Sequence, residues 1–369
     1  MKKKYLFRSF LLLFVGLNFL ACSSSTTLVQ ESRSGIIDAD DPNIQYVGRF
    51  DFSNPKKVTF DWSGVFITAY FEGTSCAVRL NDINNEYEIV IDNNAPRLLN
   101  PDSSKIYFVA KNLDSSHSHK IIIQKRTEAF IGKGEFLGFI LDEGKKLLPP
   151  DKRPDRRIEF IGNSITCAYG VEGDSATCRY SPETQNANLS YASIIARDLN
   201  ADYSLVAYSG RGVVRNYGDV NKTSVDPMPS LYDRICFNDS TSKWNFSLWI
   251  PQVVVINLGT NDFSTKPFPD KNVFQNAYKK LIERVRSLYP NVMIFCLCGP
   301  MIDEPCLSYI KEVVRDEQKN KRDRDVFFIG IPNSILTKDD WGCDGHPNVK
   351  GMLKMVKEVA PEIKARMNW

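Results

Sequence analysis

Ser164 and His346 are a serine and a histidine that could share one covalent reaction. A serine hydroxyl is a weak nucleophile until a base takes its proton. The chain has three histidines, and His346 alone lies in its C-terminal half. Ser164 stands in Gly162-Asn163-Ser164-Ile165-Thr166, directly after an apolar run. His346 stands in Trp341-Gly342-Cys343-Asp344-Gly345-His346-Pro347. Two more apolar runs end in Ser209-Gly210-Arg211-Gly212 and Gly259-Thr260-Asn261-Asp262. Acyl transfer puts negative charge on a carbonyl oxygen, and backbone N–H groups or an asparagine amide can receive it. The Ser164 N–H, a glycine N–H from Gly210 or Gly212, and the Asn261 side chain would supply the donors. Losing one such donor typically costs about 10²–10³ in turnover. Each segment alone reads as an ordinary turn or helix cap. All of them at strand ends, in this order, are poorly explained by chance.

The elements must carry those segments to one place. Ile158–Ile161, Tyr203–Tyr208, Gln252–Leu258, Val292–Leu297 and Val326–Ile331 are short apolar runs, the pattern of strands buried on both faces. Helical spacing lies between and after them: Tyr191, Ile194, Ile195 and Leu199, then Val273 to Leu288, a segment around Tyr309, and Met352 to Ile363. Such alternation predicts a parallel sheet covered by helices, with ligands at the carboxyl ends of the strands. Residues 41–148 read differently. Short strands of two-residue period, such as Tyr87 to Ile91, are separated by Gly, Asn and Asp. Six to eight of them predict a jelly-roll-like β-sandwich. Residues 149–156, rich in proline and charge, form a linker, and 157–369 the α/β domain. The usual Gly-x-Ser-x-Gly elbow is absent from that half. Gly73-Thr74-Ser75-Cys76-Ala77 comes near it among the β-strands and is read as structural.

The length of 369 residues fits two domains, and 43% hydrophobic with 25% charged residues fits a globular protein. The net charge is +3, and it falls to −1 without Lys2, Lys3, Lys4 and Arg8. This near-neutral balance gives no electrostatic case for nucleic acid. Residues 1–22 read as an export signal, with a basic start and an apolar core from Phe10 to Leu20. Phe19-Leu20-Ala21-Cys22 resembles a bacterial lipobox, which would make Cys22 the lipidation site. Residues 23–40 read as a tether. The expected location is the cell envelope, membrane-bound through the lipid, or secreted if Cys22 is not lipidated. Among the other cysteines, Cys167 and Cys178 flank one short loop and are the best candidate disulfide. Cys296 and Cys298 alternate on a strand and face opposite sides. His117 and His119 lack an evident third metal ligand and read as solvated residues.

The four strand-end segments resemble the GDSL/SGNH hydrolases. Gly162-Asn163-Ser164 looks like their first block, Gly259-Thr260-Asn261-Asp262 their third, and Asp344-Gly345-His346-Pro347 their last. The family usually has aspartate where Asn163 stands. The pairing with a β-sandwich is similar to carbohydrate esterase family 2. Trp62-Ser63-Gly64, Phe71-Glu72-Gly73-Thr74, Lys125-Arg126-Thr127-Glu128, Gly138–Asp142 and Arg211–Gly218 resemble its segments, over about residues 44–366. The resemblance implies a flavodoxin-like three-layer hydrolase domain with Ser164 as nucleophile and His346 as base. Family members orient the histidine with an acid or work as a Ser–His dyad. The acid usually lies three residues before the histidine, where this chain has Cys343. Asp344 is therefore the first candidate, a backbone carbonyl the second, and Asp339 and Asp340 follow. Trp341 is a candidate for stacking on sugar; Tyr169, Arg215 and Trp244 are weaker ones.

The expected function is a serine esterase removing O-acetyl groups from xylan or glucomannan, with no metal or organic cofactor. Its partner would be an acetylated polysaccharide or oligosaccharide. An SGNH esterase acting on a lipid, thioester or sialic-acid acetyl group, or a non-catalytic lipid-anchored glycan binder, are the alternatives.

Overall fold

The computed structural model describes residues 35–369. The export signal, Cys22 and most of the tether lie outside the described residues.

The N-terminal half builds eleven strands: β1 (Ile36–Asp38), β2 (Gln45–Val47), β3 (Val58–Phe60), β4 (Phe66–Phe71), β5 (Cys76–Asn81), β6 (Tyr87–Ile91), β7 (Arg97–Leu99), β8 (Ile106–Ala110), β9 (His119–Lys125), β10 (Gly134–Leu141) and β11 (Leu147–Leu148). They form two antiparallel sheets, one ordered β1-β10-β5-β8 with β3 beside β10, the other β11-β4-β9-β6-β7 with β2 beside β4. Strand β6 shows the cause: Tyr87, Ile89 and Ile91 are buried while Glu88 and Val90 are half-buried. The buried sets of both sheets, including Phe60, Ile67, Val78, Ile89, Ile121 and Phe136, meet in one core.

Two expectations change here. Ile36–Asp38, assigned to the tether, pairs with Gly138–Ile140 and so closes one sheet. His119 is not solvated: Nδ1 lies 2.9 Å from an Asp92 oxygen and Nε2 lies 2.8 Å from the Asp114 carbonyl, and the residue is buried.

The C-terminal half has five parallel strands, β12 (Arg156–Gly162), β13 (Ala201–Ala207), β14 (Val253–Asn257), β15 (Met293–Cys298) and β16 (Val326–Gly330). Their order is β13-β12-β14-β15-β16, the flavodoxin-like arrangement. Successive β14 residues serve opposite faces: Val253 and Val255 join one core, Val254 and Ile256 the other. Helices α4 (Lys271–Leu288) and α5 (Cys306–Asn320) cover one face. Helices α2 (Tyr191–Asp198) and α6 (Val349–Met367) cover the other. Two one-turn helices complete the set, α1 (Ser164–Cys167) and α3 (Met228–Leu231). The strand order reverses at β12, so the crevice above β12, β13 and β14 is where this fold receives ligands.

The halves are joined by more than a linker. Arg49 and Glu159 form an ion pair at 3.3 Å with both side chains about 1% exposed. Asp61 accepts the Phe237 N–H at 2.9 Å and the Asn238 N–H at 3.2 Å. The proposed linker is itself held: Arg153 reaches Asp202 at 2.6 Å and the Tyr46 carbonyl at 3.2 Å. Arg156, placed in that linker from sequence, already belongs to β12. Among the described residues no helix is long and apolar enough to cross a membrane.

Candidate active site

Ser164 leaves the end of β12 through a tight turn. Asn163 is buried and extended, and its Oδ1 accepts the Ile165 N–H at 3.1 Å. Its carbonyl accepts those of Thr166 and Cys167, both at 3.0 Å. None of these bonds uses the Ser164 N–H. The turn demands glycine at 162, because a Cβ there would lie 2.0 Å from Thr166 Oγ1. Asn163 thus supplies the cap that an aspartate could, without a charge.

His346 arrives from the far end of the chain. Asn348 caps α6 through Oδ1, accepting the N–H groups of Lys350 at 2.9 Å and Gly351 at 3.2 Å. The Gly342 N–H donates to the His346 carbonyl at 2.7 Å. This frame puts His346 Nε2 2.8 Å from Ser164 Oγ. Burial depresses the imidazole to about 4, against an opposing pull from the backbone of Asp344 and Cys343. The ring is therefore neutral at pH 7. For Nε2 to accept the serine proton, the ring hydrogen sits on Nδ1.

The Asp344 carboxylate does not face that hydrogen. It accepts from Tyr169 Oη at 3.0 Å, Arg179 Nη1 at 2.9 Å and the Tyr180 N–H at 3.0 Å. Asp344 has a left-handed backbone, with φ 50. His346 Nδ1 is buried with no hydrogen-bond partner among the described residues. The first candidate from the sequence, the Asp344 carboxylate, does not hold the ring. Asp340 is engaged with Thr337 and with Lys354 at 2.6 Å, and Asp339 is exposed.

Of the two glycines, Gly210 lines the cleft beside Ser164. The Gly212 N–H is occupied by Asn216 Oδ1 at 3.3 Å. A Cβ on Gly212 would also meet Arg215 O at 2.0 Å and Asp262 Oδ2 at 2.5 Å. Gly212 serves the loop, and of the two glycines Gly210 is the one that lines the cleft. Asn261 also lines the cleft; its Nδ2 donates one hydrogen to the Arg211 carbonyl at 2.8 Å and keeps another. Asp262, which the sequence left without a role, accepts the N–H groups of Val213, Val214 and Arg215 at 2.7–3.0 Å. Burial raises its carboxyl to about 6 in spite of those bonds.

The cleft holds about 840 Å³ and is lined by Ser164, Tyr169, Gly210, Tyr217, Asn261 and His346 among others. Trp341 is not one of the lining residues. It is half-buried, in a backbone bridge to Pro347. Arg215 is buried and bonded to the carbonyls of Asp219, Thr265 and Pro267. Trp244 lies against Arg49. Tyr169 does reach the cleft, 4.5 Å from the His346 ring. Tyr217, 70% exposed, is an aromatic at the cleft that sequence reasoning did not single out.

The expected Cys167–Cys178 bridge is not formed. Cys178 pairs with Cys343, 165 residues away, and Cys167 is free and buried. Nearness in sequence misled because Cys167 lies inside the fold at the end of α1. The true bridge ties the 174–181 loop to the segment carrying His346.

Comparison with known proteins gives a consistent picture. The carbohydrate esterase 2 N-terminal model matches residues 46–150, and the GDSL-like lipase/acylhydrolase family model matches 160–354. The chain is 40% identical to cellulase/esterase CelE of Acetivibrio thermocellus over 341 residues, 90% of this chain and 40% of that protein. It therefore spans well under half of that relative's length. It is 25% identical to an acetylxylan esterase/glucomannan deacetylase of Cellvibrio japonicus, over 97% of this chain and 98% of the relative. Among solved structures, a family two carbohydrate esterase from Clostridium thermocellum in complex with cellohexaose superposes with a TM-score of 0.81 at 39% identity. The match covers 88% of this chain and 99% of that one. With both halves matched in order, the chain belongs to the GDSL-like lipase/acylhydrolase family and carries the N-terminal domain of carbohydrate esterase family 2.

Proposed function

We propose that this protein is a serine esterase that removes O-acetyl groups from plant cell-wall polysaccharides such as xylan and glucomannan. The observation that carries the reading is the 2.8 Å approach of His346 Nε2 to Ser164 Oγ, in a cleft that also holds Gly210 and Asn261. The names of the relatives, an acetylxylan esterase/glucomannan deacetylase among them, support the substrate class. In this reading Ser164 attacks the acetyl carbonyl while His346 takes its proton. The oxyanion is received by the Ser164 and Gly210 N–H groups and the Asn261 amide. Collapse breaks the bond to the sugar oxygen, which takes the proton from His346 and leaves as a hydroxyl, and the acetyl group stays on Ser164 Oγ. Water, deprotonated by His346, then releases acetate and restores Ser164. An open cleft of this size accommodates a sugar chain, and the exposed Tyr217 ring offers it an apolar face.

Acetate release from acetylated xylan, acetylated glucomannan and acetylated cello-oligosaccharides tests this directly. Release from at least one of them supports the reading. Release only from lipid or thioester substrates would replace the substrate class, and no hydrolysis of any ester would leave a glycan binder.

We also propose, from the sequence of residues 1–22, that Cys22 is lipidated and holds the enzyme at the cell envelope. Cys22→Ala should then move the protein from the membrane fraction to the soluble fraction. An unchanged distribution would remove the anchor.

A further inference from the structure

The residue before Gly210 is gripped by the other half of the protein. Glu128 comes from the segment after β9 and is fully buried. One of its carboxylate oxygens accepts the Ser209 N–H at 2.8 Å, and the other accepts the Ser209 hydroxyl. The Glu128 backbone is fixed in turn. Its N–H donates to Gln185 Oε1 at 3.2 Å, and its carbonyl accepts from the buried Lys125 ammonium at 3.1 Å. Gln185 reaches the Cys167 carbonyl at 3.3 Å, at the end of the helix that begins with Ser164.

The loop that carries Gly210 is thus held at three points. Asn261 holds the Arg211 carbonyl, Asp262 holds the N–H groups of 213–215, and Glu128 holds Ser209. The first two holds come from the hydrolase domain. The third comes from the β-sandwich and lies on the residue adjoining Gly210. Holding the Ser209 N–H and hydroxyl fixes the Tyr208–Ser209 peptide and the Ser209 side chain, and so anchors the chain at the residue directly before the Gly210 N–H. Oxyanion donors act by being placed before charge develops, so small errors in their direction reduce the rate more than they weaken binding.

We propose that Glu128 of the β-sandwich is a positioning residue for ester hydrolysis, anchoring Ser209 beside the Gly210 N–H that receives the oxyanion. The inference rests on the esterase reading above. It makes the sandwich part of the catalytic apparatus as well as a neighbour to it. Both Glu128 oxygens accept from Ser209, so glutamine keeps the size of the side chain but puts an NH2 donor in place of one acceptor.

The test measures kcat and KM for 4-nitrophenyl acetate in Glu128→Gln, Ser209→Ala and wild type, with inhibition by an alkylboronic acid, which forms a tetrahedral adduct on an active serine. Val78→Ala, a core truncation in the sandwich, serves as a control that lowers stability without touching Ser209. Glu128→Gln should lower kcat by about 10-fold or more with KM within about threefold, and should weaken boronate inhibition in parallel. Ser209→Ala keeps the N–H bond and should lose less. Val78→Ala should lower Tm and keep kcat. If Glu128→Gln fails to fold, Ser209→Ala still decides, because it leaves the Glu128 carboxylate in place. Wild-type kcat and boronate affinity in Ser209→Ala and in any folded Glu128→Gln, with Ser164→Ala inactive, would overturn this inference alone. A wild-type protein without esterase activity would overturn the proposed function and this inference with it.

Discussion

Asp344 stands two residues before His346, yet its carboxylate turns away from the imidazole and binds Tyr169, Arg179 and the Tyr180 backbone. The residue best placed in sequence to be the triad acid is a clamp between two loops. Removing a true triad acid lowers kcat by about 10⁴. Asp344→Asn, which keeps the left-handed backbone accessible, should lower kcat for 4-nitrophenyl acetate by less than about 10-fold. A loss as deep as that of Ser164→Ala would restore Asp344 to the reaction.

The pH dependence follows from burial of His346, which lowers its ring to about 4. The base works only when neutral, so activity is present above that value and lost as pH falls through it. The kcat/KM for 4-nitrophenyl acetate should be flat from about pH 6 to 8 and fall to half near pH 4. A midpoint near 6.5, the ordinary histidine value, would contradict the burial argument. The same shift affects stability. The unfolded chain binds the proton more readily, so this contribution is complete above about 6.5 and shrinks as pH falls towards 4.

The Cys178–Cys343 bridge closes a long loop and holds the segment that carries His346. Native disulfides of this kind contribute about 2–4 kcal/mol. Cys178→Ser should lower the unfolding free energy by about that amount and reduce kcat at temperatures where the protein is still folded. Denaturant melts and acetate release would show both. Unchanged kcat would mean that the surrounding hydrogen bonds suffice to place the histidine.

The Arg49–Glu159 pair is buried between the halves, and Arg49 also donates to the Tyr232 and Arg234 carbonyls. Removing one member strands a buried charge and typically costs about 3–5 kcal/mol. Arg49→Met should lower stability by about that much in urea, with near-UV dichroism and far-UV dichroism falling together. Separate transitions would show halves that unfold independently.

The parts of this architecture carried by local pattern were legible in the sequence. The five apolar runs became β12 to β16 within a residue or two, and the residues at their ends, Ser164, Gly210 and Asn261, line one cleft with His346. What was not legible depends on contacts between distant segments. Strands β1 and β2 have three residues each, too few to show a period. The direction of Asp344 depends on Tyr169 and Tyr180, more than 160 residues earlier in the chain. Cys178 finds Cys343 only after the sheet has brought both ends together. Trp341 has the composition of a sugar platform, but its backbone bridge to Pro347 leaves it outside the cleft lining. Glu128 stood in a segment noted for its resemblance, and nothing local linked it to Ser209, 81 residues away.

The central claim is that Ser164 carries the acyl group and His346 activates it. The most direct measurement is acetate release from acetylated xylan by Ser164→Ala, paired with fluorophosphonate labelling of the wild type and mapping of the modified peptide. Release should vanish in the variant, and the label should fall on the peptide containing Ser164 alone. Wild-type release from Ser164→Ala, or a label on another serine, would contradict the claim.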